Sequence, residues 1–369
     1  MKTRGLSKLV LLILTLTCST VVKSKALNEN SMFHFDLSNE NVLFLELPAD
    51  SVFPKRVSEY YDDYSNMLSL FLYAKQKYNN FGVLNDSLDK TITYSPNTQL
   101  NVGFGFNYQW LGIGIAFNLS FINNDDDKYG KTSRLDWQTN IYGNKMVYDF
   151  YLQSYKGFYL KNPTEVFLSW GKNQANYIRP DIETVALGLK GLYIFNSKRF
   201  SYKAAFMQTA VQKKSSGSFL LGASYFVQYI TADSSFFPTN SYFESLPDVV
   251  THSSIYFGIN TGYAYNFILH KSYFVSLSFL ASIEAAKITS VLSDKTETVR
   301  WAPVVHVQPR IALGYNKPKW YAGLSFVRDS FFEADELEHD DYDLFFRSGN
   351  FRVFAGMRFS WLSNINQKK

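Results

Sequence analysis

The sequence predicts an all-β chain, an antiparallel transmembrane β-barrel of about 12 strands within a range of about 10 to 14. Three observations carry that prediction. Apolar residues recur at every second position through most of the chain, the period of a strand. The faces between them are rich in Gly, Asn, Gln and Ser, as a polar interior requires. Aromatic residues make up 18% of the chain, with 33 Phe and 26 Tyr, yet no unbroken apolar stretch approaches the roughly 20 residues of a membrane helix.

The N-terminal stretch reads as a leader. Lys2, Arg4 and Lys8 make a basic start, Leu9 to Leu14 a short apolar core, and Ser24 and Ala26 the small residues before a break. Residues 1–26 are therefore expected to be a cleaved signal peptide, directing the chain to the cell outer membrane. Thr15-Leu16-Thr17 ahead of Cys18 is a poor lipidation site. Five of the 37 basic residues lie in this leader and none of the 32 acidic ones does, so 32 of each sign remain. The basic balance belongs to the leader and gives no reason to expect a nucleic-acid partner. The one Cys leaves with it, which excludes disulfides, Cys-zinc sites and a Cys nucleophile. Residues 27–66 are expected to form an N-terminal periplasmic segment, 67–361 the barrel, and 362–369 a C-terminal tail.

Ser69 to Phe81 is the expected first strand. In TQLNVGFGFNYQWLGIGIAFNLSF, Leu100 to Trp110 alternate in one phase and Ile113 to Phe121 in the other. A phase switch without loss of pattern predicts a tight hairpin within Gln109 to Gly112. The alternation recurs in Leu135 to Ile141, Met146 to Gln153, Val185 to Lys190, Tyr202 to Val211, Phe219 to Ile230, Ile255 to Phe267, Tyr273 to Ile283, Val305 to Tyr315, Trp320 to Val327 and Phe351 to Trp361. That makes about 13 candidates of about 9 to 12 residues, where bacterial barrels use even numbers. Either one run does not span, or a weak strand near Tyr342 to Arg347 is real. The longer links are 85–93, 122–132, 156–182, 232–252, 287–300 and 329–345, and short and long links alternate only to about residue 230. Trp110, Trp320 and Trp361, beside short turns or the C-terminal end, are expected to form an interfacial girdle against outer-membrane lipid.

By this point the chain resembles an uncharacterised Bacteroidota family of outer-membrane barrels, classed as domain of unknown function 4421. The stretches that carry the resemblance are YSPNTQLNVGFGFNYQWLGIGIAF (94–117), LDWQTNIYGNKMVYDFYLQSYKGFYL (135–160), YIRPDI (177–182), FSYKAAFMQTAVQKKSSGSFLLG (200–222) and GYAYNF (262–267). The similarity runs from about residue 60 to the end of the last strand and leaves residues 27–60 uncovered. It implies an envelope location and a barrel, and no activity or functional residue. GMRFSW at 356–361 is similar to the C-terminal signal read by the barrel-assembly machinery, although Phe354 replaces the expected polar residue and eight residues follow the strand.

The alternation places Asp136, Asp149, Lys190, Glu284, Arg310, Arg352 and Arg358 on the lumen side. Neither sign dominates. Such a mixed interior fits a packed salt-bridge network or the wall of a narrow, weakly selective pore. Of the histidines, His270 falls in a short turn, His252 and His339 in links, and His306 in a strand, inward. His306, Glu284 and Ser282 are the candidate catalytic set, with Ser276 and Ser278 as other inward serines. Mutual satisfaction of His306, Arg310 and Glu284 inside a polar lumen is the favoured reading, and no enzymatic role is expected. GFG at 103–105 and GIG at 112–114 lack the third Gly and the helix of a nucleotide loop, and no cofactor is expected. The acidic stretches DDD (125–127) and FFEADELEHDDYD (331–343) read as solvated links that match no calcium loop. RPD (179–181) and QKKSSGS (212–218) are expected in links or plugs. A passive small channel or structural envelope protein is the default reading. A lipid- or lipopolysaccharide-modifying barrel enzyme, or a surface adhesin using the aromatic link 232–252, are the alternatives.

Overall fold

A computed structural model describes residues 58–85, 87–109, 111–118, 125–171, 174–335 and 342–359. The leader, the tail, Trp110, Trp361, His34 and His339 lie outside them. The strands are β1 (Tyr61–Asp63), β2 (Leu68–Asn85), β3 (Lys90–Pro96), β4 (Asn101–Tyr108), β5 (Leu111–Asn118), β6 (Ser133–Tyr142), β7 (Met146–Leu160) and β8 (Ile178–Ile194). After them come β9 (Ala210–Gln212), β10 (Ser216–Thr231), β11 (Val249–Leu269), β12 (Tyr273–Leu292), β13 (Glu297–Asn316), β14 (Trp320–Asp335) and β15 (Tyr342–Phe359).

All pairings are antiparallel. The ring β2-β3-β7-β8-β10-β11-β12-β13-β14-β15 closes because β15 pairs back onto β2, from Phe359↔Leu68 to Tyr342↔Asn85. Ten strands therefore form a continuous hydrogen-bonded wall. β3 and β4 run along β2 as two parts of one bent pass, with Phe81↔Tyr94 in one half and Ser69↔Asn107 in the other. β4, β5 and β6 widen the wall between β2 and β7 toward the short-turn end, which makes twelve passes in all. The hairpin expected after Tyr108 is present: Tyr108 pairs with Leu111 across a two-residue turn, and Gln109 takes φ 54.

The wall obeys the period of two. On β12, Ile283 is 74% exposed and Glu284 next to it is 0%. Outward residues such as Leu277, Phe279, Val305, Phe257 and Leu72 are apolar and exposed, while Ser276, Ser278, Ser282, Asn260 and His306 are buried inside. A soluble protein would bury the apolar set. Among the described residues no helix is long and apolar enough to cross a membrane.

Two expectations need correction. Tyr202 to Val211 is not a strand. It holds a short helix, Tyr202–Phe206, and then β9, which pairs with β1 as Tyr61↔Gln212 and Asp63↔Ala210. Tyr202, Lys203, Ala204 and Ala205 are buried in succession, so this segment has no lipid-facing side, and Gln208 at φ 55 breaks any extension. Removing it from the candidate strands restores an even number and leaves 195–215 as a long link that returns to the short-turn end.

The strands are also longer than expected. β11, β12 and β13 have 21, 20 and 20 residues. Most of the expected links 287–300 and 329–345 is strand, including Tyr342–Phe359 as one run. The cause is an inversion of polarity toward the long-loop end. There the inward positions Ala286, Ile288, Val304, Phe331 and Phe346 are apolar and buried, while Lys287 faces out. An outward face that becomes polar reads as a loop. The inward aromatics form a water-soluble type of core with Phe81, Tyr94, Phe158, Phe226 and Phe243.

One seam interrupts the wall. β6 pairs with β7 and β5 with β4, but among the described residues no backbone pairing joins β5 to β6. Gly112, Gly114 and Ala116 on the inner face of β5 are exposed, as are Ile113, Ile115 and Phe117 on its outer face.

Candidate functional site

The lumen is filled in three tiers. At the short-turn end the link between β8 and β10 folds inward, together with β1. Outside β9 its backbone carbonyls have no sheet partners, and inward wall donors supply several of them. Asn316 Nδ2 donates to Ala204 O and Ala210 O, both at 3.0 Å, Asn266 Nδ2 to Ser201 O at 3.0 Å, and Asn107 Nδ2 to Met207 O at 3.2 Å. Arg358 Nε donates to Gln208 O at 2.8 Å and Nη1 to Lys317 O at 2.5 Å. Arg358 also lies over the Tyr321 ring. Inside this plug Lys203 Nζ meets Asp63 Oδ2 at 2.5 Å. Burial by itself would raise the Asp63 carboxyl, but the Lys203 ammonium and the donation from Ser65 hold it below the usual carboxylate range.

The middle tier is a chain of charged side chains that crosses the barrel. Asp149 on β7 receives Arg310 Nη2 at 2.5 Å, Asn140 Nδ2 at 2.6 Å, and Lys190 Nζ lies 3.2 Å away. Gln308 accepts from Lys190 and from Arg310 Nη2, the latter at 3.0 Å, and donates to Asp329. Asp329 Oδ1 is 3.1 Å from His306 Nε2, and His306 Nδ1 is 3.0 Å from Glu284 Oε1. Ser224 and Ser282 each donate to that same Glu284 oxygen at 3.0 Å. His306 stacks on Phe331 at 3.9 Å and 11°. Three carboxylates thus face Lys190, Arg310 and His306, and paired ions are what a buried interior tolerates. A cavity of about 90 Å³ beside this chain, lined by Gln138, Asn140, Asp149, Lys190, Arg310 and Asp329, has room for a few waters.

Nucleophilic chemistry requires a serine hydroxyl on an imidazole nitrogen. Ser282 Oγ instead bonds the acid Glu284 and faces the backbone oxygen of His306 at 3.4 Å. The three residues come together, but not in the order of a triad.

A second set was not visible in the sequence. His252 lies in β11, not in a link, and is buried. Its Nε2 is 2.9 Å from Glu333 Oε2 and its Nδ1 is 3.1 Å from Ser290 Oγ, while Tyr256 donates to the other Glu333 oxygen. Glu333 belongs to β14 and not to a solvated acidic link. The period-two phase of Phe331 and Glu333, continuing that of Asp329, was the available signal. All of this set is walled in by the aromatic core, His252 lying 6.0 Å from the Phe346 ring.

The remaining inward charges lie elsewhere. Asp136 on β6 reaches across to Lys77 on β2 at 2.5 Å and accepts from Tyr155 at 2.5 Å. Arg352 lies over Phe71, Tyr73 and Phe354. Trp320 is exposed at the start of β14, at the short-turn end, and His270 sits in the β11–β12 turn at φ 49. Arg179 and Asp181 of the RPD stretch bond each other at the start of β8, and Arg179 donates to Ser234 O and Ser235 O of the long link. Asp125 and Asp126 accept from Asn97. No group able to hold a metal occurs among the described residues.

An apolar belt outside, a paired polar interior and antiparallel closure of the wall define an antiparallel transmembrane β-barrel with a filled lumen. The chain belongs to the family described as Domain of unknown function (DUF4421), whose model matches residues 50–359. Among solved structures it is similar to the outer membrane protease OmpT from Escherichia coli, at 5% identity over 80% of this chain and 97% of that one, with a TM-score of 0.36. It is also similar to the P. putida toluene transporter TodX, at 7% identity over 80% of this chain and 90% of that one, with a TM-score of 0.22. None of the curated proteins compared matches it.

Proposed function

We propose that the protein is a closed outer-membrane barrel, a structural envelope protein that acts through its wall and not as an open conduit. In this reading the short turns and the first and last described residues, 58 and 359, face the periplasm and the long links face outward. The observation that carries it is the tethered plug: donors from β4, β11, β13 and β15 all hold the inward-folded link across the short-turn mouth. The aromatic tier supports closure of the other end. It also weighs against the adhesin reading, because Phe236, Phe237 and Phe243 of link 232–252 are buried and not presented. The enzyme reading loses its first candidate with the Ser282–Glu284 bond, and the serines that do reach an imidazole, Ser254 and Ser290 on His252, are buried with it behind the aromatic core.

The test is conductance in planar bilayers, on protein shown to be folded by heat-shifted gel mobility. Folded protein is expected to give no sustained unitary steps. Discrete, long-lived steps would overturn closure and return the inward charges to the role of a pore lining.

A further inference from the structure

The seam between β5 and β6 is where the inner charges stop balancing. Lys75 on β2 and Arg352 on β15 are direct cross-strand partners on the inner face. Like charges placed opposite each other repel and destabilise a sheet. The next partner of Lys75 is Asn101 on β4, and Asn101 Oδ1 accepts from Arg134 Nη2 of β6 at 2.9 Å, across the seam. Lys75 itself reaches Gln138 of β6 at 3.4 Å. Among the described residues none of these three cations has a carboxylate partner, and Arg352 Nε is buried without an acceptor. The neighbouring Lys77 is the contrast, being neutralised by Asp136. Elsewhere in the lumen every charge named above, apart from Arg358 on its carbonyls, meets its opposite.

The height of this cluster matters. Lys75 is level with Asn101 and Asn118, one residue beyond the exposed Val102 and Phe117. Leu135 and Trp137 expose the same belt on β6. Inward cations beside exposed apolar side chains, next to an unpaired seam, match an amphiphile whose charged head enters and whose tails stay outside.

We propose that the β5–β6 seam binds the phosphate head group of a bilayer lipid through Lys75, Arg134 and Arg352, with the acyl chains lying along Ile113, Ile115, Phe117 and Trp137. Guanidinium and ammonium groups suit a phosphate, which accepts several charge-assisted hydrogen bonds at once. Ala116, two residues from this level, keeps the inner side of the β5 edge small and exposed, while the Tyr73 ring covers Gly114 further down. The inference rests on the outer-membrane reading above.

The test uses the full chain purified in detergent, offered equal amounts of phosphatidic acid and phosphatidylcholine with identical tails. Native mass spectrometry reads which lipid is retained. The wild type is expected to favour phosphatidic acid by about tenfold or more, the scale of a charge-assisted hydrogen bond. K75Q and R352Q are expected to bring the ratio toward unity, while K75R keeps it. Inorganic phosphate at the same concentration is expected to leave the lipid bound. Equal retention of both lipids by folded wild type would overturn the proposal. So would a preference left intact in K75Q/R352Q, or full displacement by inorganic phosphate. Heat-shifted mobility checks folding, and R134Q replaces any variant that fails, since no carboxylate is stranded by its loss. Unitary steps in the conductance experiment would refute the closed lumen without touching the lipid ratio.

Discussion

The arc from β10 to β14 and the arc from β4 to β6 are built on the same alternation and behave differently. In the first, strands of up to 21 residues pair along their length, and inward Ser, Gln, His and Glu side chains fill the lumen. In the second, β4 and β5 have 8 residues each, the inner face of β5 is only Gly112, Gly114 and Ala116, and among the described residues one of its edges is unpaired. Closing the hydrogen-bond ladder and filling the interior are thus separate tasks. The first arc achieves both, and the second achieves neither at the seam.

Substitution can sharpen that contrast. The largest effect is expected in the middle tier. Asp149→Ala leaves Lys190 and Arg310 side by side without their shared carboxylate, and removing one member of a buried ion set costs about 3–5 kcal/mol. Urea unfolding in lipid vesicles, followed by heat-shifted mobility, would measure it. A loss below about 1 kcal/mol, the level of an exposed pair, would show that water reaches this tier.

An intermediate effect is expected in the plug. The folded Asp63 carboxyl is held below its unfolded value, so its contribution is complete above about pH 4 and is lost as pH falls through the lowered value. Asp63→Asn should remove a charged hydrogen bond worth about 1.5–3 kcal/mol. Opening of residues 202–212, read as hydrogen exchange relative to the intrinsic rate at each pH, should rise between neutral pH and pH 3 in the wild type. In the variant it should already be high and should change little with pH. A wild-type profile flat to pH 3 would contradict this account of the plug.

The smallest effect belongs to the seam's outer face. Ile115→Ala exchanges one lipid-exposed side chain for another, and lipid is as apolar as either, so the same unfolding assay should register about 0.5 kcal/mol or less. A loss of several times that would mean that β5 packs on protein, and the seam would then not be open.

Much of the architecture was legible because strand period and outward polarity are local properties. The hairpin after Tyr108, the exposure of Leu277 and Phe279 and the burial of Ser276 and Ser278 all follow from neighbours two residues apart. Two features escaped for physical reasons. Above the apolar belt water replaces lipid, the outward face turns polar, and Leu292 or Glu333 no longer resembles membrane strand. Tyr202 to Val211 alternates like a strand but is surrounded on all sides, which only the assembled lumen dictates. The site was partly legible for a related reason. Alternation says that a charge points inward, but not which charge it meets. Arg310 finds Asp149 161 positions away, and Lys190 finds Gln308 118 positions away. Those partnerships depend on how far each strand is offset around the ring, a quantity no single segment contains.

The unbroken length of the strands has a mechanical consequence. A strand of 20 residues, at about 3.3 Å per residue and tilted about 40°, stands about 50 Å high against an apolar belt of about 25 Å. The part above the belt has its own aromatic core yet shares β2, β7, β8 and β10 to β15 with the part below. A load applied to the outer collar is therefore carried by continuous hydrogen-bonded ladders into the bilayer, as a lever passes through its fulcrum. Among the described residues, the slit beside β5 is where the ladders do not share that load sideways.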